Sequence, residues 1–362
     1  MKIGIATFHN TPNYGAVIQA FALLTYLKRN GHDVNVIDYL CAGNDESFSP
    51  NNIEESIKKT PNFIKRTIKK FLFSVFVKKE YSKKYKKFKD FQRSFLNLCS
   101  FDKKDFDTVF FGSDQIWNPR ITHGFKSFYF GADTSSKTIA ASFAASCGDV
   151  STVLSEEDDF YSNLCNLDYI GVREKGLYNY IRSLGLNCSL TLDPTLLLNK
   201  EDYIKELNLQ KNSDAFILVY ELHKNKELDI FAQQLSKKTG LKIKKVCGFL
   251  PLDGKKNKGF FGLGPIDFLE LLYNSKYVIT NSFHGIALSI IFEKNFNVVL
   301  PNVRSERITD FLSLLSLQDR IISLGKRDFS NIDYSHLSNE FIQSVTSSKK
   351  YLNSVLEGGK NG

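Results

Sequence analysis

The chain has 362 residues, of which 42% are hydrophobic, so it can bury a large core and most naturally divides into two domains. Its formal net charge of +9 is local, because residues 58–89 hold thirteen Lys and Arg against one Glu, while the rest of the chain is slightly acidic. A general nucleic-acid binder would more often spread its basic residues over a folded face, so we expect no nucleic acid as a partner.

The N-terminal sequence MKIGIATF has neither the basic stretch nor the apolar run of a secretory signal. No stretch approaches the roughly 20 apolar residues of a membrane-spanning helix, so we expect a cytoplasmic protein. The six Cys are scattered singly, without CxxC pairs or zinc-ligand spacing, which indicates reduced thiols and no metal site.

The chain opens with a predicted βαβ unit, made of a strand at 2–7, a helix at 16–28 and a strand at 34–37. The loop before the helix lies at the carboxyl edge of the sheet, where ligands bind in open parallel sheets. It has no GxGxxG pattern, so a phosphate- or sugar-facing loop is favoured over a dinucleotide site or a plain turn. Asn13 and Gly15 are its candidate ligand-binding residues.

Residues 50–100 are predicted to be a basic helical insertion. Five apolar residues fall on one helical face: Ile64, Ile68, Phe71, Leu72 and Val75. Four basic residues flank that face: Lys65, Arg66, Lys69 and Lys70. One interpretation is an arm that packs its apolar face on the domain and leaves its lysines solvated. The other is a membrane-surface element formed by 58–89, since each basic residue near an anionic leaflet contributes about 1 kcal/mol.

A predicted strand at 107–111 leads into the loop GSDQIWNP, again at a carboxyl edge. This loop places polar groups around the one tryptophan of the chain, Trp117, a mixture that suits a sugar with an apolar face and hydroxyls. The polar candidates are Ser113, Asp114, Gln115 and Asn118. The alternative is a capped loop with Trp117 as part of the core.

A strand predicted at 168–172 is followed directly by Arg173 and Glu174. A guanidinium at a strand exit can bind a carboxylate or phosphate with two hydrogen bonds, although a surface salt bridge to Glu174 is an alternative. The next strand ends at the Asp193-Pro194 turn, and the polar residues 199–213 are expected to be a linker.

The second half repeats the strand–helix pattern from residue 215, and its clearest step is the strand 277–280 followed by a polar turn and an apolar helix. Free N–H groups at the start of that helix can hold an anion, and His284 in the turn can titrate near neutral pH. The alternative is that Asn281 or Ser282 only caps the helix. Arg304 and Arg307 follow the next strand, at the same edge.

Five motifs together resemble the polysaccharide pyruvyl transferase family, in the same order and at family-like spacing. They are NYGAVIQAFAL at 13–23, GSDQIWNP at 112–119, GVREKG at 171–176, LDPTLLL at 192–198 and TNSFHG at 280–285. The resemblance implies an α/β fold with two Rossmann-like domains facing across a cleft, as in GT-B glycosyltransferases, the basic insertion belonging to the first. We expect an acceptor-side domain at 1–198, a donor-side domain at 214–330 and a terminal helix at 335–357 that packs back.

The resemblance also implies transfer of pyruvate from phosphoenolpyruvate, a co-substrate, to two hydroxyls of a sugar, such as galactose in a soluble or lipid-linked acceptor. His284 is then the general acid that protonates the donor's methylene carbon, and Asp114 is the base, with Glu174 as second choice. The expected donor-binding residues are Ser282, Gly285, Arg304, Arg307 and Arg173. The expected acceptor-binding residues are Asn13, Gly15, Ser113, Gln115, Trp117 and Asn118. No cofactor and no metal are expected.

One departure from the family pattern concerns Ser282, because relatives often carry Arg two residues before the motif histidine. Arg304 or Arg307 would have to replace that arginine, or the donor differs. Two other functions share this architecture: a glycosyltransferase with a nucleotide-sugar donor, and a non-catalytic carbohydrate-binding scaffold. Sugar-dependent release of phosphate, release of nucleotide, or binding without turnover distinguishes the three.

Overall fold

The computed structural model describes residues 1–39, 57, 61–101, 106–248, 259–260, 262–300, 306–322 and 329–358. Its strands are β1 Lys2–Ala6, β2 Asp33–Ile37, β3 Leu98–Cys99, β4 Thr108–Phe111, β5 Ile139–Ser142, β6 Gly171–Val172, β7 Ser189–Leu190, β8 Phe216–Glu221, β9 Lys242–Cys247, β10 Gly259–Phe260, β11 Tyr277–Thr280 and β12 Asn295–Val298.

The α-helices, with α4 a single turn, are α1 Tyr14–Arg29, α2 Phe63–Leu72, α3 Lys78–Phe95, α4 Pro119–Thr122, α5 Glu157–Leu164, α6 Lys175–Ser183, α7 Lys200–Leu207, α8 Lys226–Thr239, α9 Pro265–Asn274, α10 Phe283–Ile291, α11 Glu306–Leu314 and α12 Asn339–Gly358. None of the helices in these ranges is both long and apolar enough to span a membrane.

The strands form two parallel sheets with matching strand orders. The first sheet runs β3-β2-β1-β4-β5, and β6 and β7 continue it through the bridges Ala141–Tyr169 and Ala145–Val172. The second runs β10-β9-β8-β11-β12. In each sheet the order reverses beside the first strand, so the loops after β1, β4, β8 and β11 meet at crevices where Rossmann-like folds bind ligands. The expectation of two Rossmann-like domains in a GT-B-like arrangement is confirmed.

The two halves share one apolar core next to this edge. The ring of Tyr14 at the start of α1 stacks on Phe268 of α9 with centroids 4.5 Å apart, and its hydroxyl donates to the carbonyl of Leu263 at 3.1 Å. Both aromatic side chains are buried. The start of α1 and the start of α9 are therefore held against each other.

The segment after the second sheet crosses back to the first half. Tyr334 donates to the carbonyl of Lys294 in the second half at 2.6 Å. Further along, the hydroxyl of Ser348 accepts from the N–H of Leu192, and that of Tyr351 donates to the carbonyl of Ser142. The helix α12 thus packs on the first sheet, while the domain boundaries at 198, 214 and 330 stay predictions.

The predicted linker, residues 199–213, contains the helix α7. Asn199 caps it by accepting from the N–H of Asp202, whose carboxylate accepts in return from the N–H of Asn199. This capping box starts a helix in a segment whose polar composition suggested a loop.

The basic insertion contains two helices with different surroundings. In α3, Lys84 is buried with its ammonium 4.8 Å from the ring centre of Tyr14, and Lys87 pairs with Asp267 of α9 at 2.8 Å. By contrast, α2 leaves its apolar side chains exposed, at 69% for Ile64 and 53% for Ile68. The interpretation of a packed arm is right for α3 and wrong for these two side chains of α2. The side chains of Lys69, Leu72 and Val75, which were also named in the predicted insertion, lie outside the described residues.

Candidate active site

Arg173 and Asp193 are brought together because each follows one of two paired parallel strands, β6 and β7. The Nη1 group of Arg173 donates to Oδ2 of Asp193 at 2.7 Å, and Oδ1 accepts from both the N–H and the hydroxyl of Thr195. Burial alone would raise the pKa of Asp193, but His284 and Arg173 outweigh it and hold that pKa below its ordinary value. Asp193 is therefore a carboxylate that anchors the arginine.

His284 lies in the first turn of α10 and is 7% exposed. Its Nε2 atom is 3.5 Å from Oδ2 of Asp193. The opposite edge of the ring rests on Gly15 of α1, where an ideal Cβ atom would lie 2.5 Å from Cε1 and closer still to Nδ1. Asp193 and Gly15, both from the first half, thus fix the position of a histidine from the second half.

Arg307, in the first turn of α11, brings a second guanidinium to the same place. Its central carbon is 4.9 Å from the ring centre of Phe283, and that of Arg173 is 5.4 Å from the same ring. Burial, together with repulsion from Arg173, lowers the pKa of Arg307 to about 10. Two cations are therefore held close together around one aromatic ring, at an electrostatic cost that a bound anion would relieve.

Several buried polar atoms of this cluster have no hydrogen-bond partner among the described residues. They are Nε and Nη2 of Arg173, Oε2 of Glu174, Nε2 of His284 and Nη1 of Arg307. Isolated atoms of this kind occur elsewhere in the chain, but these belong to residues in mutual contact. Since buried polar groups in folded proteins are nearly always hydrogen-bonded, the cluster has the features of a site for a polar ligand.

The arginine cluster forms one end of a cavity of about 590 Å³ between the two halves and α12. Apolar lining comes from Phe283, Phe311, Leu190, Leu192 and Leu314. A volume of this size and a mixed lining are typical of small-molecule sites.

Asp114 belongs to the electrostatic surroundings of this cluster. Burial acts to lower the pKa of Arg173 and of Arg307, and the carboxylates of Glu174, Asp193 and Asp114 oppose that effect. It is half-buried, and its backbone is in the left-handed region with φ of 66°. Its Oδ1 atom accepts from the N–H of Gln115 at 2.8 Å, which leaves Oδ2 for another partner. Its predicted role as base is compatible with this position.

Three of the predicted acceptor residues are buried and used internally. Trp117 is fully buried, stacks on Phe130 and donates to the carbonyl of Tyr129, so its indole has no face open to a sugar. Ser113 donates to Gln19, and Asn118 caps α4. The prediction of acceptor contact is wrong for these three residues in this conformation, and the alternative of a capped loop with a core tryptophan holds.

The remaining predicted residues have supporting roles. Asn13 caps α1 by accepting from the N–H of Gly15, and Gln115 accepts from the side chain of Asn118. Ser282 caps α10 by accepting from the N–H of Gly285, a long bond of 3.5 Å. The capping alternative is thus correct for Ser282 without excluding a role for the neighbouring histidine.

Two further predicted features had different outcomes. Arg304 lies outside the described residues. The surface salt bridge between Arg173 and Glu174, which was the alternative to anion binding, is a buried contact at 3.5 Å, and the closer partner of the arginine is Asp193.

Asp193 was missed as a functional residue because Asp-Pro was interpreted as a turn. A signal was available, since Asp193 follows its strand just as Arg173 follows the preceding one, and neighbouring parallel strands end at one edge. Phe283 was missed because nothing in the sequence shows which ring two distant arginines will share.

A family model described as polysaccharide pyruvyl transferase matches residues 13–302 of the chain. A search of curated proteins gave no match.

Solved structures with a similar fold include UDP-N-acetylglucosamine 2-epimerases. For the enzyme from Rickettsia bellii the identity is 13%, with 99% of this chain and 97% of that chain covered and a TM-score of 0.47. The enzyme from Methanocaldococcus jannaschii is 13% identical, with 96% of this chain and 92% of that chain covered and a TM-score of 0.43. The E. coli heptosyltransferase WaaC with ADP is 14% identical, with 95% of this chain and 100% of that chain covered and a TM-score of 0.41.

Proposed function

The chain belongs to the polysaccharide pyruvyl transferase family, and on that premise we propose that it transfers pyruvate from phosphoenolpyruvate to a sugar, such as a galactoside, as a cyclic ketal in cell-surface polysaccharide biosynthesis. The observation that carries the proposal is a pair of guanidinium groups, that of Arg173 buried and that of Arg307 partly buried, with buried N–H groups that have no partner among the described residues. Phosphoenolpyruvate carries a phosphate and a carboxylate on the same carbon, and each is a good partner for a guanidinium.

Arg307 then supplies the guanidinium that relatives often place two residues before the motif histidine, where this chain has Ser282. Arg173 is kept charged and oriented by Asp193, which uses only one edge of the guanidinium. The other N–H groups remain for the donor. A pair of cations in a buried site binds a multiply charged anion because the ligand replaces their mutual repulsion with attraction.

His284 is the proposed general acid. Its Nε2 atom has no hydrogen-bond partner among the described residues and lies 3.5 Å from the Asp193 carboxylate. Transfer of that proton to the methylene carbon makes the adjacent carbon electrophilic. One sugar hydroxyl adds to that carbon in place of the C=C π bond, and a second hydroxyl displaces phosphate by replacing the bond from that carbon to the phosphate oxygen. The first hydroxyl proton passes by way of a base to the departing phosphate, and the second restores His284.

The base that receives the first hydroxyl proton is Asp114 or Glu174. Asp114 keeps one carboxylate oxygen outside its bond to Gln115. Glu174 accepts from Ser146 through Oε1, and its Oε2 has no partner among the described residues. Replacing each with the isosteric amide separates the two, because the true base loses roughly 10²–10⁴-fold in rate and the other does not.

The test of the proposal is to incubate purified protein with phosphoenolpyruvate and a panel of methyl hexosides and lipid-linked oligosaccharides. Sugar-dependent release of phosphate, together with a product mass increased by one ketal-linked pyruvate, supports it. Release of nucleotide from a nucleotide sugar would instead indicate a glycosyltransferase. If the protein does not bind phosphoenolpyruvate in isothermal titration, the proposed donor is wrong.

We also propose that α2 brings the enzyme to an anionic membrane surface, where a lipid-linked acceptor would be found. Its apolar side chains are exposed, at 68% for Phe63 and 69% for Ile64, and Lys65, Arg66 and Lys70 lie beside them. A helix of this kind lies in the headgroup plane with its apolar face buried.

The measurement is co-sedimentation with vesicles containing anionic lipid, at low and high salt. Wild type is compared with a variant in which Lys65, Arg66 and Lys70 are Gln, and with a control in which Lys237, Lys238 and Lys242 of the second half are Gln. Salt-sensitive pelleting of wild type and the control, lost only in the α2 variant, supports the proposal. Equal pelleting of all three, or none by wild type, contradicts it.

A further inference from the structure

The cavity beside the arginine cluster has a second polar wall, formed by α12. Four side chains spaced at i, i+3, i+4 and i+7 line it: Glu340, Gln343, Ser344 and Ser347. This spacing places them on one face of the helix. The family model ends at residue 302, so this wall lies outside the matched region.

The charges of the cavity lining differ from one wall to the other. One wall carries the positive charges of Arg173, Lys175 and Arg307 beside the carboxylates of Glu174 and Asp193, and Asp310 follows Arg307 by one turn of α11. The wall formed by α12 contributes Glu340 and three neutral polar groups, and no cation among the described lining residues. A phosphate or carboxylate is attracted to the first wall and repelled by the second.

The volume of the cavity is much larger than a three-carbon phosphorylated acid requires, since pockets of about 300–1,000 Å³ hold drug-sized ligands. Leu190 is 45% exposed although it is a strand residue, and it lines this cavity together with Leu192. Amide and hydroxyl groups that line one cavity together with aliphatic side chains suit a sugar ring, which has hydroxyls at its rim and an apolar face.

We propose that the polar face of α12 is the acceptor-recognition wall of this site and selects neutral hexosides over uronic acids. The inference rests on the proposed function, because it assigns the donor to the arginine end. Gln343 and Ser347 hydrogen-bond the hydroxyls of the sugar, while Glu340 excludes acceptors with a carboxylate. These side chains are exposed on a helix held by other contacts, so replacing them leaves the fold intact.

The experiment measures acceptor affinity and donor affinity separately. Acceptor binding is followed by saturation-transfer NMR with methyl β-D-galactopyranoside, methyl glucoside, methyl mannoside and methyl β-D-galacturonide, and donor binding by isothermal titration with phosphoenolpyruvate. Gln343→Ala and Ser347→Ala should each weaken binding of the neutral hexoside roughly fivefold without changing donor affinity. The control Asn353→Ala, exposed on the same helix outside the cavity lining, should change neither.

The charge argument has its own variant pair. Glu340→Gln should reduce the preference for the galactoside over the galacturonide by about fivefold, whereas Glu357→Gln, on the same helix, should leave it unchanged. Unchanged acceptor binding in the Gln343 and Ser347 variants, or equal binding of galactoside and galacturonide by wild type, overturns the inference. Binding of phosphoenolpyruvate with no binding of any hexoside also overturns it while leaving the donor assignment standing. Failure to bind phosphoenolpyruvate refutes the proposed function itself.

Discussion

Gly15→Ala should inactivate the enzyme by displacing His284, a residue in the other half of the molecule. Gly15 is helical, so an alanine there would ordinarily stabilise the chain by about 1 kcal/mol. The added methyl carbon would instead lie within 2.5 Å of the imidazole Cε1, a distance that real contacts do not show. Because unstrained carbon contacts are about 3.5–4.0 Å long, the ring must retreat by about 1 Å.

A misplacement of about 1 Å at a catalytic group can cost on the order of 10²-fold in rate, and this is the loss we expect in kcat. The assay is phosphate release from phosphoenolpyruvate with the best acceptor of the hexoside panel, with urea unfolding measured on the same samples. The matched control is Gly176→Ala, a helical glycine whose added Cβ would meet nothing within 4 Å. Turnover of Gly15→Ala within threefold of the control would show that the His284 ring can move without loss of rate, and that its contact with Gly15 is not required for catalysis.

Three further predictions follow from the same contacts. His284→Asn should lower kcat by about 10²–10⁴-fold with little change in the urea midpoint. Turnover at the wild-type rate would show that His284 is not the general acid and that the turn only caps the helix. Arg307→Met should raise the KM for phosphoenolpyruvate and leave hexoside binding unchanged; unaltered donor kinetics would point to Arg304. Lys84→Met should raise the free energy of unfolding at pH 7 by about 1–3 kcal/mol. Burial of the ammonium group destabilises the folded state and lowers the pKa of Lys84 from 10.5 to about 8, and the cation–π contact with Tyr14 offsets part of that destabilisation. The gain should shrink as pH rises from 8 towards 10.5, because only the unfolded chain then binds the proton; the exposed Lys83→Met is the control, and a pH-independent difference would contradict the argument.

The sequence predicted the two Rossmann-like halves well because their strands are short, β-branched and bounded by turns. The same local pattern located His284 at a strand exit, and the position of Arg173 followed in the same way. Each of these predictions depends on information within about ten residues, which is the range over which hydrophobic periodicity indicates a strand or helix.

The predictions failed where long-range packing decides the outcome. Trp117 lies in a polar motif, yet its indole is enclosed by Phe130 and Phe160, and neither contact can be inferred from the motif. The contact of Gly15 with His284 was not predicted either, because the two residues are 269 positions apart in the chain. The lining contributed by α12 was not predicted at all, since a helix with a polar face is usually solvated.

The crossing of α12 also bears on how such enzymes can diversify. The segments that flank the second half, β7 on one side and α12 on the other, both pack on the first half. The second half is therefore an insertion within the sequence of the first half, and recombination at two positions of the gene can exchange it. A transplanted second half must still bring a histidine that fits Gly15 and an arginine that reaches the ring beside Arg173. Chimeras between family members should therefore fold more often than they turn over, and restoring those two contacts is the first repair to attempt.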